Sequence, residues 1–316
     1  MAGKRGVAVP STLFLSVTYL CLLSPPASTS ASSPLRRNYY ADVCPNVEDI
    51  VRAAVEAKFK ETVVTIPGTL RLFAHDCFVQ DHPDNLSLAG DGFDTVVRAK
   101  AAVDAVPQCR NKVSCADILV MATRDANGPR YPVELGRLDG LSSTAASVDG
   151  KIPLETFDLD QLNSLFGNLG LSQQDMIALS GAHTIGFSHC SFFANRIRNF
   201  SQSEPIDPTM NRKYAAALQA ACRPDVDPSV VIPLDPTTPI TFDKNYYVDL
   251  QNGMGLLTSD QTLFTDQRSR PTVNSWAANP QKFYQKFVLA MTRMGRVGVK
   301  TDPRRGNIRR DCSVLN

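Results

Sequence analysis

Apolar residues along this chain recur mostly three and four positions apart, the spacing that lines one face of an α-helix. Val47, Ile50, Val51, Ala54, Val55 and Phe59 mark one such helix after Pro45. Leu70, Phe73, Ala74, Cys77 and Phe78 mark a second, which sets Arg71 and His75 one turn apart on a neighbouring face. Leu159, Leu162, Phe166 and Leu169 mark a third, closed by Gly170. Ser172 with Asp175 has the form of a capping box and predicts the start of a helix carrying Met176, Leu179 and His183, with the histidine presented on its apolar face. The strongest period of all runs through Phe283, Tyr284, Phe287, Val288, Met291 and Met294. Proline-rich stretches, including 224–239, read as loops between helices. With no internal repeat, coiled coil or long low-complexity segment, the expected fold class is all-α with minor strand content.

A length of 316 residues at 43% hydrophobic content suffices for a large core, in one domain or two closely packed subdomains. The net charge of +2 is too small to argue for a nucleic-acid partner, and Arg304, Arg305, Arg309 and Arg310 read as a solvated basic tail. Lys4 and Arg5 precede an apolar stretch at 13–23, then Pro25, Pro26 and a run of small residues. That pattern is a secretory signal peptide, placed at 1–31 with cleavage between Ala27 and Ser33, ahead of one domain at 32–316. The stretch is too short for an ordinary membrane span and no later segment offers a longer one, so the expected product is a secreted soluble protein without a membrane partner. Loss of Cys21 with the leader leaves seven cysteines, an odd number for an oxidising compartment. Spacing does not give their connectivity and leaves open a buried thiol or an intermolecular bridge. Asn199 opens a usable glycosylation sequon; Asn85 opens a second match.

Two histidine strings carry the chemistry: RLFAHDCFV at 71–79 and LSGAHTIG at 179–186. Either alone reads as an ordinary polar helix face. Together they resemble the signatures of the secreted plant (class III) haem peroxidases. Further matches follow in family order: DVCPNV at 42–47, VSCADIL at 113–119, LGR at 135–137, TPITFD at 238–243, SDQ at 259–261 and IRRDC at 308–312. The resemblance covers nearly everything after about residue 35.

It implies a haem peroxidase fold whose distal and proximal helical halves enclose haem b, with hydrogen peroxide as oxidant and small phenols as one-electron donors. His183 matches the axial ligand of the iron, and Asp260 the carboxylate on its other ring nitrogen. His75 matches the distal acid–base, Arg71 the cation that stabilises developing charge, and Asn85 the acceptor for the second nitrogen of His75. Pro153 falls where the family offers a backbone carbonyl to donors, within an altered string. Thr184, Asp235, Thr238, Thr241 (by its carbonyl) and Asp243 match a proximal calcium site, while Asp76 and Val79 remain of a distal one. The implied disulfides are Cys44 with Cys109, Cys115 with Cys312 and Cys190 with Cys222, each worth roughly 3 to 4 kcal/mol, which leaves Cys77 over. Asp117 and Arg137 match a buried ion pair. His82 and His189 lack metal-ligand spacing and read as surface or core residues, so zinc is not supported.

The match breaks in three places. After Gln80 the family continues with GCDAS and a segment ending in glutamate, whereas this chain passes to DHPDN at 81–85, short by about a dozen and a half residues. The lost stretch normally supplies the partner of Cys77 and most distal calcium ligands, so one calcium site is expected rather than two. After Asp125 a shorter link, ANGP at 126–129, removes about one helical turn. Ala74 stands where the family has a phenylalanine beside the iron's open position, which implies a wider and wetter pocket. Two functions follow. One is an active secreted peroxidase of lignin- or suberin-type phenolic metabolism and oxidative-stress response; the other is a catalytically impaired or inert secreted glycoprotein of the same fold. Retention of Arg71, His75, Asn85, His183 and Asp260 favours the first, and the missing segment the second.

Overall fold

Short helices follow from frequent caps and breakers. Asp158 and Gln161 form a reciprocal capping box at one helix start, Gly170 at φ +74° stops the chain just beyond its end, and Asn279 caps another start where Pro280 occupies the first turn. The computed structural model describes residues 35–78, 90–126, 128–142 and 152–316, with side chains of the first segment described through residue 75. The segment proposed as a signal peptide therefore lies outside the described residues. Residues Ser33–Asn316 cluster as one compact unit.

Twelve α-helices occur among the described residues: α1 Val47–Glu61, α2 Thr65–Phe78, α3 Gly90–Ala105, α4 Cys115–Asp125, α5 Leu159–Asn168, α6 Gln173–Ser180, α7 Ala194–Ile197, α8 Arg212–Ala221, α9 Asn245–Gln251, α10 Thr258–Thr265, α11 Arg270–Ala278 and α12 Pro280–Met294. Strand content is minor, as expected. β1 (Asp139–Gly140) pairs antiparallel with β4 (Gly306–Asn307), and β2 (Phe187–His189) with β3 (Val231–Pro233). The proline-rich stretch at 224–239 is thus mostly loop, with β3 inside it as the exception. It pairs because Ile232 and Ser188 face each other in register, giving the loop backbone partners it would otherwise lack.

One large core gathers the apolar faces of α1 to α6 and α9 to α12, with Val51, Ile118, Met121, Met176, Trp276 and Phe283 among its buried members. A smaller core of Phe193, Ile197, Leu218 and Leu256 packs around the Cys190–Cys222 bridge. All three implied disulfides are formed. The Cys115–Cys312 bridge spans 197 residues and constrains the unfolded chain most, by about 5 kcal/mol in the chain-entropy view against about 4 for the 32-residue span of Cys190–Cys222.

Two polar clamps set the helices' relative positions. Buried Asp117 accepts from Tyr40 Oη at 2.8 Å, Gly136 N at 2.6 Å and Arg137 Nη1 at 3.0 Å, and Arg137 Nε reaches the Gly295 carbonyl at the end of α12 at 3.0 Å. Breaking such a pair would strand a buried charge at a cost of about 3–5 kcal/mol. Lys58 on α1 reaches Asp91 and Asp94 on α3 at 2.9 and 3.0 Å.

The α2–α3 contact depends on a glycine. A Cβ on Gly92 would stand 2.4 Å from the carbonyl carbon and oxygen of Gly68, backbone atoms that cannot swing aside. Gly92→Ala should therefore push α3 off the helix bearing Arg71 and His75, at a cost of about 1–3 kcal/mol. Thermal unfolding of the two variants checks this: Gly92→Ala should melt earlier, and Gly90→Ala, which meets nothing within 4 Å, should not.

Candidate active site

The Ser172–Asp175 capping box forms as expected and opens α6, but the helix ends at Ser180 and His183 sits in a 3-10 turn, Gly181–Thr184. This corrects the expectation of one continuous helix. The chain tightens because the Gly181 N–H is shared among the carbonyls of Ile177, Ala178 and Leu179, and Ile185 leaves in extended conformation. Gly181 permits the turn to press into the aromatic core, since a Cβ there would fall 2.5 Å from Tyr247 Oη and 2.7 Å from Phe283.

Asp260, in the first turn of α10, meets the turn from the far side. Its Oδ1 accepts from His183 Nδ1 at 2.8 Å, and the same oxygen accepts from buried Tyr246 Oη at 2.8 Å. The start of α10 is held in turn by buried Arg196, which donates to the carbonyls of Gly255, Leu256 and Leu257 at 2.5, 2.8 and 3.0 Å and to Asp207 at 2.9 Å. Burial presses the His183 imidazole toward lower pKa, but the charge and hydrogen bond of Asp260 push it up and prevail, with Arg71 opposing. His183 therefore lies above its ordinary value. The ring keeps an open face, with 37% of its side chain accessible. With Nδ1 committed, Nε2 is the nitrogen left for a metal. The donor set and the open face fit a haem iron.

Beside His183 the β2–β3 register brings distant oxygens together. Phe187 opposes Pro233, and Leu234 N bonds the Gly186 carbonyl at 3.0 Å, which sets Asp235 against Thr184. Thr184 Oγ1 lies 3.0 Å from Asp235 Oδ2 and 3.2 Å from the Thr241 carbonyl; Thr238 Oγ1 lies 3.3 Å from Asp235 and 3.2 Å from Asp243. All five residues matched to the proximal calcium site thus share one locality, with two carboxylates and neutral oxygens suited to a hard cation. No group of three or more His, Cys, Asp or Glu side chains able to hold a metal occurs among the described residues. Behind Asp235 stands Asp249, whose carboxyl is pushed up to about 7, by burial first and by Asp235 as well, against hydrogen bonds from Thr237. Neither Tyr246 nor Asp249 was flagged in the sequence, since no spacing distinguishes a buried polar contact from an ordinary helical position.

On α2, Arg71 and His75 stand one turn apart as expected. Arg71 Nε points at His75 Nε2 at 3.4 Å, so that nitrogen is the acceptor, and Arg71's charge reaches His183 across the cleft. The root of α2 touches the proximal side through Pro67, whose Cβ is 3.4 Å from a Cβ built on Gly186, and through Ile66, packed with Ile185 and Ala126. Asn85, Val79 and the side chains of Asp76 and Cys77 lie outside the described residues. Pro153 is half-buried ahead of α5, on a segment tied to α10 by the Ser259 N to Glu155 carbonyl bond of 2.9 Å. Away from His183, a cleft of about 180 Å³ opens at the end of α4, between Arg52, Phe59, Ile66, Asp125 and Arg130.

A family model described as Peroxidase matches residues 51–279. Peroxidase 51 of Arabidopsis thaliana is 58% identical over 308 aligned positions, covering 90% of this chain and 93% of the relative. Peroxidase 50 of the same plant is 56% identical over 328 positions (97% and 98%), and Peroxidase 73 is 56% identical over 336 (99% and 100%). An alignment of 336 positions exceeds the 316 residues of this chain, so at least 20 of them are occupied only in the relative. The helical fold, the paired His183 and Asp260, and matches of this identity over most of both chains place the protein in the plant class III haem peroxidase family.

Proposed function

We propose that this peroxidase holds haem b through His183 Nε2 and uses hydrogen peroxide to oxidise small phenolic donors by one-electron steps, outside the cell or in its wall. The observation that carries the proposal is the 2.8 Å bond between His183 Nδ1 and Asp260, which fixes the ring and leaves Nε2 toward the space that Arg71 also faces. Haem, when bound, supplies the redox capacity to take two electrons from donors. His75 Nε2, already an acceptor, takes a proton from peroxide and returns it to the departing oxygen, and Arg71 balances the negative charge that develops there. Asn85 is assigned the hydrogen bond to the other nitrogen of His75, and the carbonyl of Pro153 the anchoring of the phenol.

The oxygens of Thr184, Asp235, Thr238, Thr241 and Asp243 are assigned one calcium ion, whereas Asp76 and Val79 alone offer too few for a second. The leader at 1–31 directs secretion, exposed Asn199 accepts a glycan, and the mature domain at 32–316 acts as a monomer without nucleic-acid or membrane partners. The two shortened connections after Gln80 and Asp125 account for the 20 or more positions occupied only in the relative, and they favour a second reading, in which turnover is impaired although the fold stands. A distal pair displaced by about 1 Å would lose on the order of a hundredfold in rate.

His183→Ala should abolish stable haem retention, seen as loss of the Soret band at unchanged helical content. Because the folded pKa of His183 is raised above 6.5, protons should compete with iron as pH falls through that raised value, so haem uptake by the apoprotein weakens on acidification. The same shift stabilises the apoprotein at low pH and loses that effect as pH rises through the raised value. Haem titrations and melting curves across pH 5 to 9 should thus move in opposite directions.

His75→Ala and Arg71→Leu should keep haem and slow the peroxide step about a hundredfold or more, read by stopped-flow absorbance. Metal analysis should find at most one tightly held calcium per chain. Inserting a family-type GCDAS segment after Gln80 should raise turnover under the impaired reading; unchanged turnover would overturn that reading and leave the peroxidase assignment intact.

A further inference from the structure

We infer that Tyr246 is a positioning residue that sets how strongly Asp260 acts on His183. The inference rests on the assignment of His183 as the iron ligand. Asp260 Oδ1 is shared: His183 Nδ1 and Tyr246 Oη each lie 2.8 Å from that one oxygen. Among the described residues the other oxygen receives a long contact, 3.4 Å from the Leu257 amide. A carboxylate strengthens an imidazole ligand by drawing on its Nδ1 proton, and the pull depends on the negative charge the accepting atom keeps. A phenol donating to that same atom takes part of the charge away. Hydrogen bonds to a carboxylate inside protein are strong, so the withdrawal is substantial.

The neighbouring packing gives the phenol little freedom to leave. Tyr246 is 1% exposed, and its ring stands edge-on to His183 with centroids 6.2 Å apart. Tyr247 packs against it at 5.0 Å and is itself fixed by a 2.9 Å bond to the Ile177 carbonyl and by the Trp276 and Phe283 rings. Asp260 is held equally firmly. The next residue, Gln261, donates to the Leu250 carbonyl at 3.0 Å and accepts from Gly255 N at 3.0 Å, which locks α10 onto the end of α9. Donor, acceptor and ligand therefore keep one geometry, and the tuning is built into the α9–α10 pair.

Tyr246→Phe removes the hydroxyl while keeping the ring that packs on His183 and Tyr247. Haem content should stay equal, the Fe(III)/Fe(II) midpoint should move to more negative potential, and the iron–histidine stretch of the ferrous protein should rise in frequency. Site-specific replacement by 3-fluorotyrosine, a stronger donor of nearly the same shape, should shift both readouts the opposite way. This second variant also decides the matter if Tyr246→Phe fails to fold or to hold haem. Midpoint and stretch equal to the parent's in whichever variants bind haem would overturn the inference. Haem retained with an unchanged stretch in His183→Ala would instead overturn the ligand assignment, so the two failures are distinguishable.

Discussion

Between His183 Nδ1 and Asp260 Oδ1 lie 2.8 Å of space and 77 residues of chain, and most of the proximal half serves to hold that distance. On the His183 side, the α6 capping box, the glycine at 181 and the 3-10 turn aim the ring; Arg293 of α12 anchors the box itself by a 2.6 Å bond to Asp175. On the Asp260 side, Arg196 pins three consecutive carbonyls at the head of α10. A buried guanidinium with five acceptors is satisfied where it stands and costly to move, so the carboxylate it positions is equally costly to move. The bond commits one ring nitrogen and leaves the other for the iron that we assign to it.

The oxygen cluster and the distal helix both connect to this point. Thr184 follows His183 directly and shares its hydroxyl with Asp235 and the Thr241 carbonyl, so a cation bound there would act on the residue adjacent to His183. On the other side, α2 is braced by contacts that do not involve the shortened connection after Gln80: the backbone approach of Gly68 to Gly92, and the Ile66 and Pro67 contacts to Ile185 and Gly186. Lys58 adds a polar tie from α1 to α3. The physical question raised by the missing residues is therefore about fine placement of Arg71 and His75, since the helix that carries them has its own seat in the core.

Much of this protein was legible before any fold was known. The 3.6-residue periods around Val47–Phe59, Leu159–Leu169 and Phe283–Met294 marked three helices, because an amphipathic face must recur at that interval to be buried. Ser172 and Gly170 marked ends, because orphaned amides and a left-handed backbone each demand particular residues. The paired histidine strings pointed to the family, and the three disulfides followed from it alone, since seven cysteines have many pairings and spacing selects none of them.

What required the tertiary structure was every relation between residues far apart in sequence with no local pattern to announce it. The 3-10 turn after α6 fits against Tyr247 of α9 and Phe283 of α12 because Gly181 has no Cβ to meet them. The β2–β3 register, set inside a stretch that reads as loop, decides that Asp235 meets Thr184. Tyr246 lies in a run with no pattern to mark it; its hydroxyl gains meaning from the packing of α9 beside α10, which brings it to the oxygen already bound by His183. Periodicity and capping act within a few residues and so are written locally, whereas a shared hydrogen-bond acceptor is a property of three chain segments meeting, and only their packing could decide it.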